Sequence, residues 1–145
     1  KDTLAVAGDL FDTRYGNYKN RDFMPEQIKE EFMDLNIPKY YVYGNCDDEW
    51  FFPVQKYFIK FDFNGKKILL RHGHIKEPRP SDIDIIIEGH SHIKRLEKIS
   101  RKIFLNPGSM AIPRDKIASY AVWERNKIGL LDMENNRELK SKTLF

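Results

Sequence analysis

Four short apolar runs in this 145-residue chain each end in a cluster of glycine and polar residues. Each run has the length and composition of a buried strand. In a sheet with parallel strands, ligand sites gather just beyond the carboxyl ends of the strands. The pattern therefore predicts a shared site built from four strand ends. The four polar segments are Gly8-Asp9, Gly44-Asn45-Cys46-Asp47, His72-Gly73-His74 and Gly89-His90-Ser91-His92.

The length suits one compact domain with its own core. Charged residues make up 32% of the chain and the net charge is +3. Because the two signs are interspersed, this charge indicates an ordinary solvated surface, with a mild bias toward anionic ligands as the weaker reading. Cys46 is the only cysteine, so no internal disulfide forms and a cytoplasmic location is predicted. No apolar run has the length of a membrane span, so we expect no membrane partner.

The first half of the chain is typical of a β-α-β unit. A helix is predicted from Pro25, since proline is tolerated in the first turn. Met24, Ile28, Phe32 and Leu35 form one apolar stripe along it at three- and four-residue steps. The second half is predicted to be mainly antiparallel, with one hairpin at residues 64–65, another turning at Asn126 and one more strand at the end.

The polar residues at the four strand ends are the types that divalent metals accept. Asp9, Asn45, His90 and His92 offer oxygen and imidazole donors suited to Mn, Fe, Ni, Co or Zn. A single cysteine argues against a structural zinc site. Taken alone, each residue is as typical of a turn, a cap or a surface as of a metal site. Their coincidence at four strand ends favours a shared metal site.

Local backbone geometry supports the same hypothesis. A glycine directly before a ligand allows a sharp turn and a close backbone approach. In an extended segment His90 and His92 would project to the same side, where they could ligate two neighbouring ions, or one ion and its substrate. Asp12 and Asp47 are predicted to serve their own loops rather than to bind an ion.

The motifs GDLFD, GNCD, HGH and GHSH, followed by NPGS and MAIPR, resemble those of the calcineurin-like metallophosphoesterase superfamily. The GNCD form and the last two motifs are similar to the small YfcE-like phosphodiesterases. The resemblance covers almost the whole chain. It implies an α/β fold that is a four-layer sandwich, with two mixed β-sheets face to face and helices outside. It also implies two divalent metal ions, with manganese favoured.

Carried over by position, the resemblance gives each candidate residue a role. Asp9 would bridge both ions, His92 would belong to one ion, and the other ion would be completed by Asn45, His72 and His90. His74 matches a position that lies close by without ligating. Asp12 and Asp47 are candidates to accept the second N–H of a ligating histidine.

Three departures from the family pattern carry consequences. The family opens with a strand ending in Asp-x-His, and no such segment precedes Gly8, so residues 1–145 are predicted to be a single, N-terminally incomplete domain without its first strand. Without that segment, one ion would keep only Asp9 and His92. Cys46 stands where many relatives carry a histidine that assists the leaving group. Only ten residues follow HGH before the next strand, where relatives usually have a helix.

The resemblance implies a metal-dependent phosphodiesterase that acts on a small phosphodiester substrate through a metal-activated water, with Asp9, Asn45 and Cys46 as catalytic residues. The alternative is a non-catalytic protein-binding scaffold like Vps29, which shares the fold. GDLFD also resembles the Mre11 nucleases, but the chain lacks a basic, aromatic-interleaved patch, so a nucleic acid partner is not expected. Homo-oligomerisation stays open. Loops 13–22, 48–56 and 75–82 are predicted to set the substrate.

Overall fold

The computed structural model describes residues 2–53, 56–76 and 80–144. Within these ranges the chain forms one helix and ten strands. In chain order these are β1 Leu4–Val6, α1 Pro25–Asp34, β2 Lys39–Tyr41, β3 Phe58–Phe63, β4 Lys66–Arg71, β5 Ile85–Glu88, β6 Arg95–Ile99, β7 Lys102–Asn106, β8 Ser119–Glu124, β9 Lys127–Asp132 and β10 Glu138–Thr143.

The front half, residues 2–53, is the predicted β-α-β unit. Strands β1 and β2 pair in parallel and α1 connects them. The helix begins at Pro25, as predicted. Its apolar stripe is only partly buried, because Phe32 packs into the core whereas Ile28 and Leu35 are 41% and 43% exposed. The front half packs around an aromatic core of Phe11, Phe32, Tyr41, Tyr43 and Phe51.

The back half, residues 56–144, contains a five-stranded sheet in the order β3-β4-β5-β7-β6. Its outer pairs, β3 with β4 and β6 with β7, are antiparallel as predicted. Its two central pairs, β4 with β5 and β5 with β7, are parallel. The parallel central pairs differ from the mainly antiparallel back half that the hairpin signals predict, and they agree with the parallel strands on which the predicted site at four strand ends depends. The central strands are buried on both faces, which explains their continuous apolar runs.

The three-stranded sheet β10-β9-β8 is antiparallel and packs against the five-stranded sheet, whereas β1 and β2 form a separate two-stranded sheet. Ile128 and Leu130 of β9 share one aliphatic core with Ile68, Ile85 and Leu96. A separate cluster covers another part of the five-stranded sheet and consists of Leu69, Ile83, Ile86 and Phe104. The predicted hairpins at 64–65 and at Asn126 and the final strand are all present. In the described ranges, no helix is long and apolar enough to cross a membrane.

The predicted specificity loops lie partly outside the described residues. Residues 54–55 of the second loop and 77–79 of the third are not described. The segment between HGH and β5 is therefore described only in part. Loop 13–22 is described in full.

Candidate metal centre

Four strand ends bring four candidate ligands into direct contact. Asp9 follows β1, Asn45 follows β2, His72 follows β4 and His90 follows β5. The Nε2 atom of His72 lies 3.1 Å from Asp9 Oδ2 and 3.0 Å from Asn45 Oδ1. The Nδ1 atom of His90 lies 2.9 Å from the same Asn45 oxygen. Two loops of the front half and two of the back half therefore meet in one cluster.

The chemistry of this donor set fits a divalent cation. Two oxygen atoms and two ring nitrogen atoms lie close together. Their lone pairs repel one another unless the atoms share protons or bind a cation. Ligand atoms bound about 2.1 Å from one octahedral ion lie about 3.0 Å from their neighbours, which matches the three separations in the cluster. Within the described residues, no group of three or more His, Cys, Asp or Glu side chains is by itself disposed to hold an ion. The amide oxygen of Asn45 is therefore the member that links the two histidines.

His72 is fixed in position by the backbone of the front half. Its buried ring donates from Nδ1 to the carbonyl oxygen of Ala7 at 2.6 Å, which leaves Nε2 directed at Asp9 and Asn45. Burial disfavours the charged imidazole. The hydrogen bonds with Asp9 and the Ala7 carbonyl, together with the negative charge of Asp9, outweigh burial and raise the pKa of His72. Burial likewise opposes the charged form of Asp9, yet His72 and the backbone N–H of Cys46 lower the pKa of Asp9.

Asp47 organises the loop backbone and does not contact an imidazole. Its buried carboxylate accepts hydrogen bonds from three backbone N–H groups, those of Asp9 at 2.7 Å, Phe11 at 3.2 Å and Gly44 at 2.9 Å. The prediction that it serves its own loop is confirmed. The hypothesis that Asp47 orients a ligating histidine is wrong, because the acceptor for His72 is the Ala7 carbonyl.

Cys46 contacts both oxygen-bearing candidate ligands of the cluster, Asp9 and Asn45. Its backbone N–H donates to Asp9 Oδ1 at 2.8 Å, and its sulfur accepts from the Asn45 side-chain amide at 3.3 Å. Burial, together with the nearby carboxylates of Asp9 and Asp12, raises the pKa of the Cys46 thiol to about 12. The thiol is therefore neutral around neutral pH. Burial and the charges of neighbouring carboxylates also raise the pKa of Asp12.

The GHSH loop does not adopt the extended conformation predicted from its spacing. His90 and His92 have φ values of 60° and 58°, in the left-handed region. Non-glycine residues rarely adopt this region, and such strained conformations concentrate at functional sites. As a result, the two rings have different partners: His90 Nδ1 faces Asn45, whereas His92 Nδ1 donates to the carbonyl oxygen of Ile112 at 2.9 Å. The bond to Ile112 leaves His92 Nε2 as the nitrogen with a free lone pair.

Asn106 holds the GHSH loop and was not singled out from the sequence. Its buried side-chain amide donates to the Gly89 carbonyl at 2.7 Å and to the Ser91 hydroxyl at 3.0 Å. Its own oxygen accepts the N–H of Gly108 at 2.9 Å, which closes the NPGS turn. NPGS therefore shapes a turn beside the GHSH loop. No local sequence pattern links Asn106 to this loop, because Gly89 and Ser91 lie 17 and 15 positions earlier in the chain.

His74 lies near the cluster, as predicted. Its ring centroid is 5.2 Å from that of His72 and 6.1 Å from that of His90. Within the described residues, its buried Nδ1 atom has no hydrogen-bond partner. Burial, and then the charges of His72 and His90, lower the pKa of His74. The ring is thus suited to stay neutral beside the ligands.

Two glycines permit the close packing of the loops. A Cβ atom on Gly44 would lie 1.9 Å from Asp9 Oδ1, which is an impossible contact. Gly8 has a φ of 84°, and a Cβ atom there would lie 2.7 Å from His72 Nδ1. The predicted role of glycine at these strand ends, close approach of the backbone, is confirmed for both.

Arg14 contacts the loop that carries Asn45. The guanidinium of Arg14 lies 3.3 Å from Asp48 and 3.4 Å from the carbonyl oxygen of Asn45. Tyr18 and Trp50 are exposed, whereas Phe51 is buried in the aromatic core.

Comparisons with known proteins agree with this architecture. The family model described as "Calcineurin-like phosphoesterase superfamily domain" matches residues 2–127. The phosphodiesterase YfcE of Escherichia coli K12 is 23% identical over 142 residues, which cover 91% of this chain and 77% of that protein. The probable metallophosphoesterase YsnB of Bacillus subtilis is 36% identical over 93 residues, which cover 56% of this chain and 53% of that protein.

Solved structures show the same fold. The structure of YfcE, a phosphoesterase from E. coli, superposes with a TM-score of 0.84 at 22% identity, over 98% of this chain and 84% of that one. Wild-type Vps29 complexed with Zn²⁺ from Entamoeba histolytica superposes with a TM-score of 0.67 at 19% identity, over 99% of this chain and 82% of that one. The predicted metallophosphoesterase fold and the resemblance to the YfcE-like branch are therefore confirmed. The chain belongs to the calcineurin-like phosphoesterase superfamily.

Proposed function

We propose that this chain is a metal-dependent phosphodiesterase that hydrolyses small phosphodiesters with two divalent ions, of which manganese is favoured. The observation that carries the proposal is a chain of contacts at four strand ends, in which His72 lies 3.1 Å from Asp9 and 3.0 Å from Asn45, and Asn45 lies 2.9 Å from His90. Family membership and relatives named as phosphodiesterases support the same reaction class. Residues 1–145 are proposed to act as a single domain.

Each candidate ligand has a proposed role that is carried over from the resemblance to the family. Asp9 would bridge the two ions, and its two oxygens face different partners, Cys46 N–H and His72. Asn45, His72 and His90 would complete one site, and His92 would offer Nε2 to the other. When bound, the two ions supply positive charge that clamps a phosphoryl group and lowers the pKa of an attacking water.

The remaining residues position these ligands. The Ala7 carbonyl fixes the tautomer of His72 by accepting its Nδ1–H, so that Nε2 is available as a ligand. Asp47 holds the backbone on both sides of Asp9 and thereby sets where the carboxylate lies. Cys46 is proposed to lie beside the leaving group, where its neutral thiol is a weak S–H donor and not a charged acid.

The direct test is hydrolysis of bis-p-nitrophenyl phosphate by the full-length protein. Metal-stripped protein should be inactive, and Mn²⁺ or Ni²⁺ should restore turnover. The substitution Glu138→Gln, in a surface ion pair with Lys127, is a control that should leave turnover unchanged. Turnover that does not depend on metal would contradict the proposal.

A protein-binding scaffold is the second candidate, because Vps29 shares the fold with a TM-score of 0.67. Absence of turnover with Mn²⁺, Ni²⁺, Fe²⁺, Co²⁺ or Zn²⁺ would favour it. A cytoplasmic location and homo-oligomerisation stay predictions. Fractionation of cells and the mass of the protein in solution test them.

A further inference from the structure

His92 is held by a loop that the proposed mechanism does not use. Residues 109–117, between β7 and β8, pack against the GHSH loop, and we call them the clamp loop. The Ile112 carbonyl accepts the Nδ1–H of His92 at 2.9 Å, and the Arg114 N–H donates to the His92 carbonyl at 3.0 Å. These two bonds hold both the ring and the backbone of His92.

One ion pair ties the clamp loop to the residues that follow His92. Lys94 donates its backbone N–H to Asp115 Oδ2 at 2.7 Å and its Nζ to Asp115 Oδ1 at 2.5 Å. The same Nζ also donates to the carbonyl oxygen of Ile117 at 3.0 Å. The two side chains are only 15% and 23% exposed. These three hydrogen bonds therefore connect Lys94 to the clamp loop at two residues, Asp115 and Ile117.

This ion pair differs from the surface pairs of the molecule. Lys127 and Glu138 lie at the same 2.5 Å separation, but their side chains are 49% and 45% exposed. Exposed pairs contribute little to stability because solvent screens them. The Lys94–Asp115 pair instead combines a charge contact with backbone hydrogen bonds in a half-buried place, where such contacts set geometry.

The clamp loop is relevant to metal binding because its contacts determine which ring nitrogen of His92 is available as a ligand. Its φ of 58° is a conformation that a histidine rarely adopts unless its surroundings hold it there. A hydrogen bond from Nδ1 to a carbonyl selects the tautomer whose Nε2 can bind a metal. That carbonyl belongs to Ile112, three residues before Asp115. Its position therefore depends on the anchor at Asp115.

We propose that the Lys94–Asp115 ion pair is a positioning element that fixes the ring of His92 for metal ligation through Nε2. This inference rests on the proposed function. It assigns a role to Lys94, Asp115 and the clamp loop, which touch neither ion. The pair acts by holding the Ile112 carbonyl against His92 Nδ1.

The first test is calorimetric titration of metal-stripped, full-length protein with Mn²⁺. In Asp115→Ala, the binding step that involves His92 should weaken about 10- to 100-fold, whereas the step that involves Asn45, His72 and His90 should not change. Asp115→Asn keeps an acceptor for the Lys94 N–H and should give an intermediate loss. Glu138→Ala removes the matched surface pair and should change neither step.

The second test needs no metal and separates this inference from the proposed function. Nitrogen-15 NMR of the metal-free protein reports the tautomer of each histidine, with His92→Gln to assign the signal. The wild type should show His92 protonated at Nδ1 alone, and Asp115→Ala should show a mixture of tautomers. Circular dichroism confirms that each variant is folded.

The outcomes are distinct. Wild-type protein that binds two ions, together with an Asp115→Ala variant of unchanged affinity or unchanged tautomer, would overturn the inference and leave the proposed function intact. Wild-type protein that binds no Mn²⁺ would overturn both. An equal loss of affinity in Glu138→Ala would show a general charge effect and would also overturn the inference.

Discussion

The front half, residues 2–53, and the back half, residues 56–144, have cores of different chemistry. The front half packs aromatic rings edge to face around Phe11, which contacts Phe32 and Phe51 at centroid distances of 6.4 and 5.3 Å. The back half packs aliphatic side chains from two sheets, with Ile68, Ile85 and Ile128 at its centre. Neither core shares a residue with the other.

This difference shows where the site is built. The front half supplies Asp9 and Asn45, whereas the back half supplies His72 and His90. Since neither half holds all four ligands, an ion bound among them would link two separately packed cores. The oxygen donors come from the front half and the imidazole donors come from the back half. Metal binding and the contact between the two halves should therefore depend on each other.

The largest effect is expected from Asp9→Asn, which removes the only charged front-half ligand. Losing an anionic bridge between two ions should lower kcat/KM by at least about 1,000-fold, equivalent to about 4 kcal/mol. Asn45→Ala removes a neutral ligand and should lower kcat/KM less. Hydrolysis of bis-p-nitrophenyl phosphate measures kcat/KM for both variants. Asp62→Asn, at an exposed carboxylate of β3, is the control, and unchanged activity in Asp9→Asn would refute the bridging role.

The next effect compares the two cores directly. Phe32→Ala in the front half and Ile128→Ala in the back half should each lower the free energy of unfolding by about 3 kcal/mol, because each empties a buried site. Chemical denaturation followed by fluorescence and circular dichroism gives both values. A single coincident transition in each variant is expected if the halves form one cooperative unit. Separate transitions in Phe32→Ala would show that the front half unfolds alone.

A smaller effect is expected from Gly44→Ala, in the front-half loop. The added Cβ atom would collide with the Asp9 carboxylate and displace it, so Mn²⁺ affinity should fall about 10- to 100-fold. Gly65→Ala is the matched control in the back half, because a Cβ atom there meets nothing within 4 Å. Its φ of 71° means that it should cost about 1 kcal/mol of stability, with no change in metal affinity. Titration calorimetry distinguishes the two, and equal Mn²⁺ affinity in both variants argues against the collision.

The smallest effect concerns a contact that joins the halves away from the site. Tyr40 of β2 stacks on Phe61 of β3 with a centroid distance of 3.8 Å and an interplanar angle of 11°. A double-mutant cycle with Tyr40→Ala and Phe61→Ala should give a coupling energy of about 0.5 to 1.5 kcal/mol. The Phe63–Trp123 contact, which lies within the back half at 5.0 Å, provides the reference pair. A coupling near zero for Tyr40 and Phe61 would place the link between halves at the metal cluster alone.

The sequence predicted the strands and the cluster because both depend on local patterns. Apolar runs that end in glycine and polar residues are visible one segment at a time, and the parallel-sheet rule then predicts that the ligand site lies beyond the carboxyl ends of the strands. The chain also showed the 64–65 hairpin, since its turn residues are adjacent. These features need no knowledge of distant contacts.

The remaining features arise from contacts between distant segments. Asn106 reaches Gly89 across 17 positions, and Asp115 reaches Lys94 across 21, so no local pattern marks either pair. The left-handed conformation of His92 was also hidden, because that region normally favours glycine and asparagine. The spacing of two histidines therefore predicted a shared side, whereas tertiary contacts turned the rings to different partners.

The central claim is that ligands from both halves bind divalent ions at one cluster. Anomalous diffraction from crystals of the full-length protein soaked in Mn²⁺ tests it most directly. The account predicts an anomalous peak about 2.0 to 2.3 Å from Asp9, Asn45 Oδ1, His72 Nε2 and His90 Nδ1. Well-ordered crystals with no peak at this cluster, or with Mn²⁺ bound only elsewhere, would contradict it.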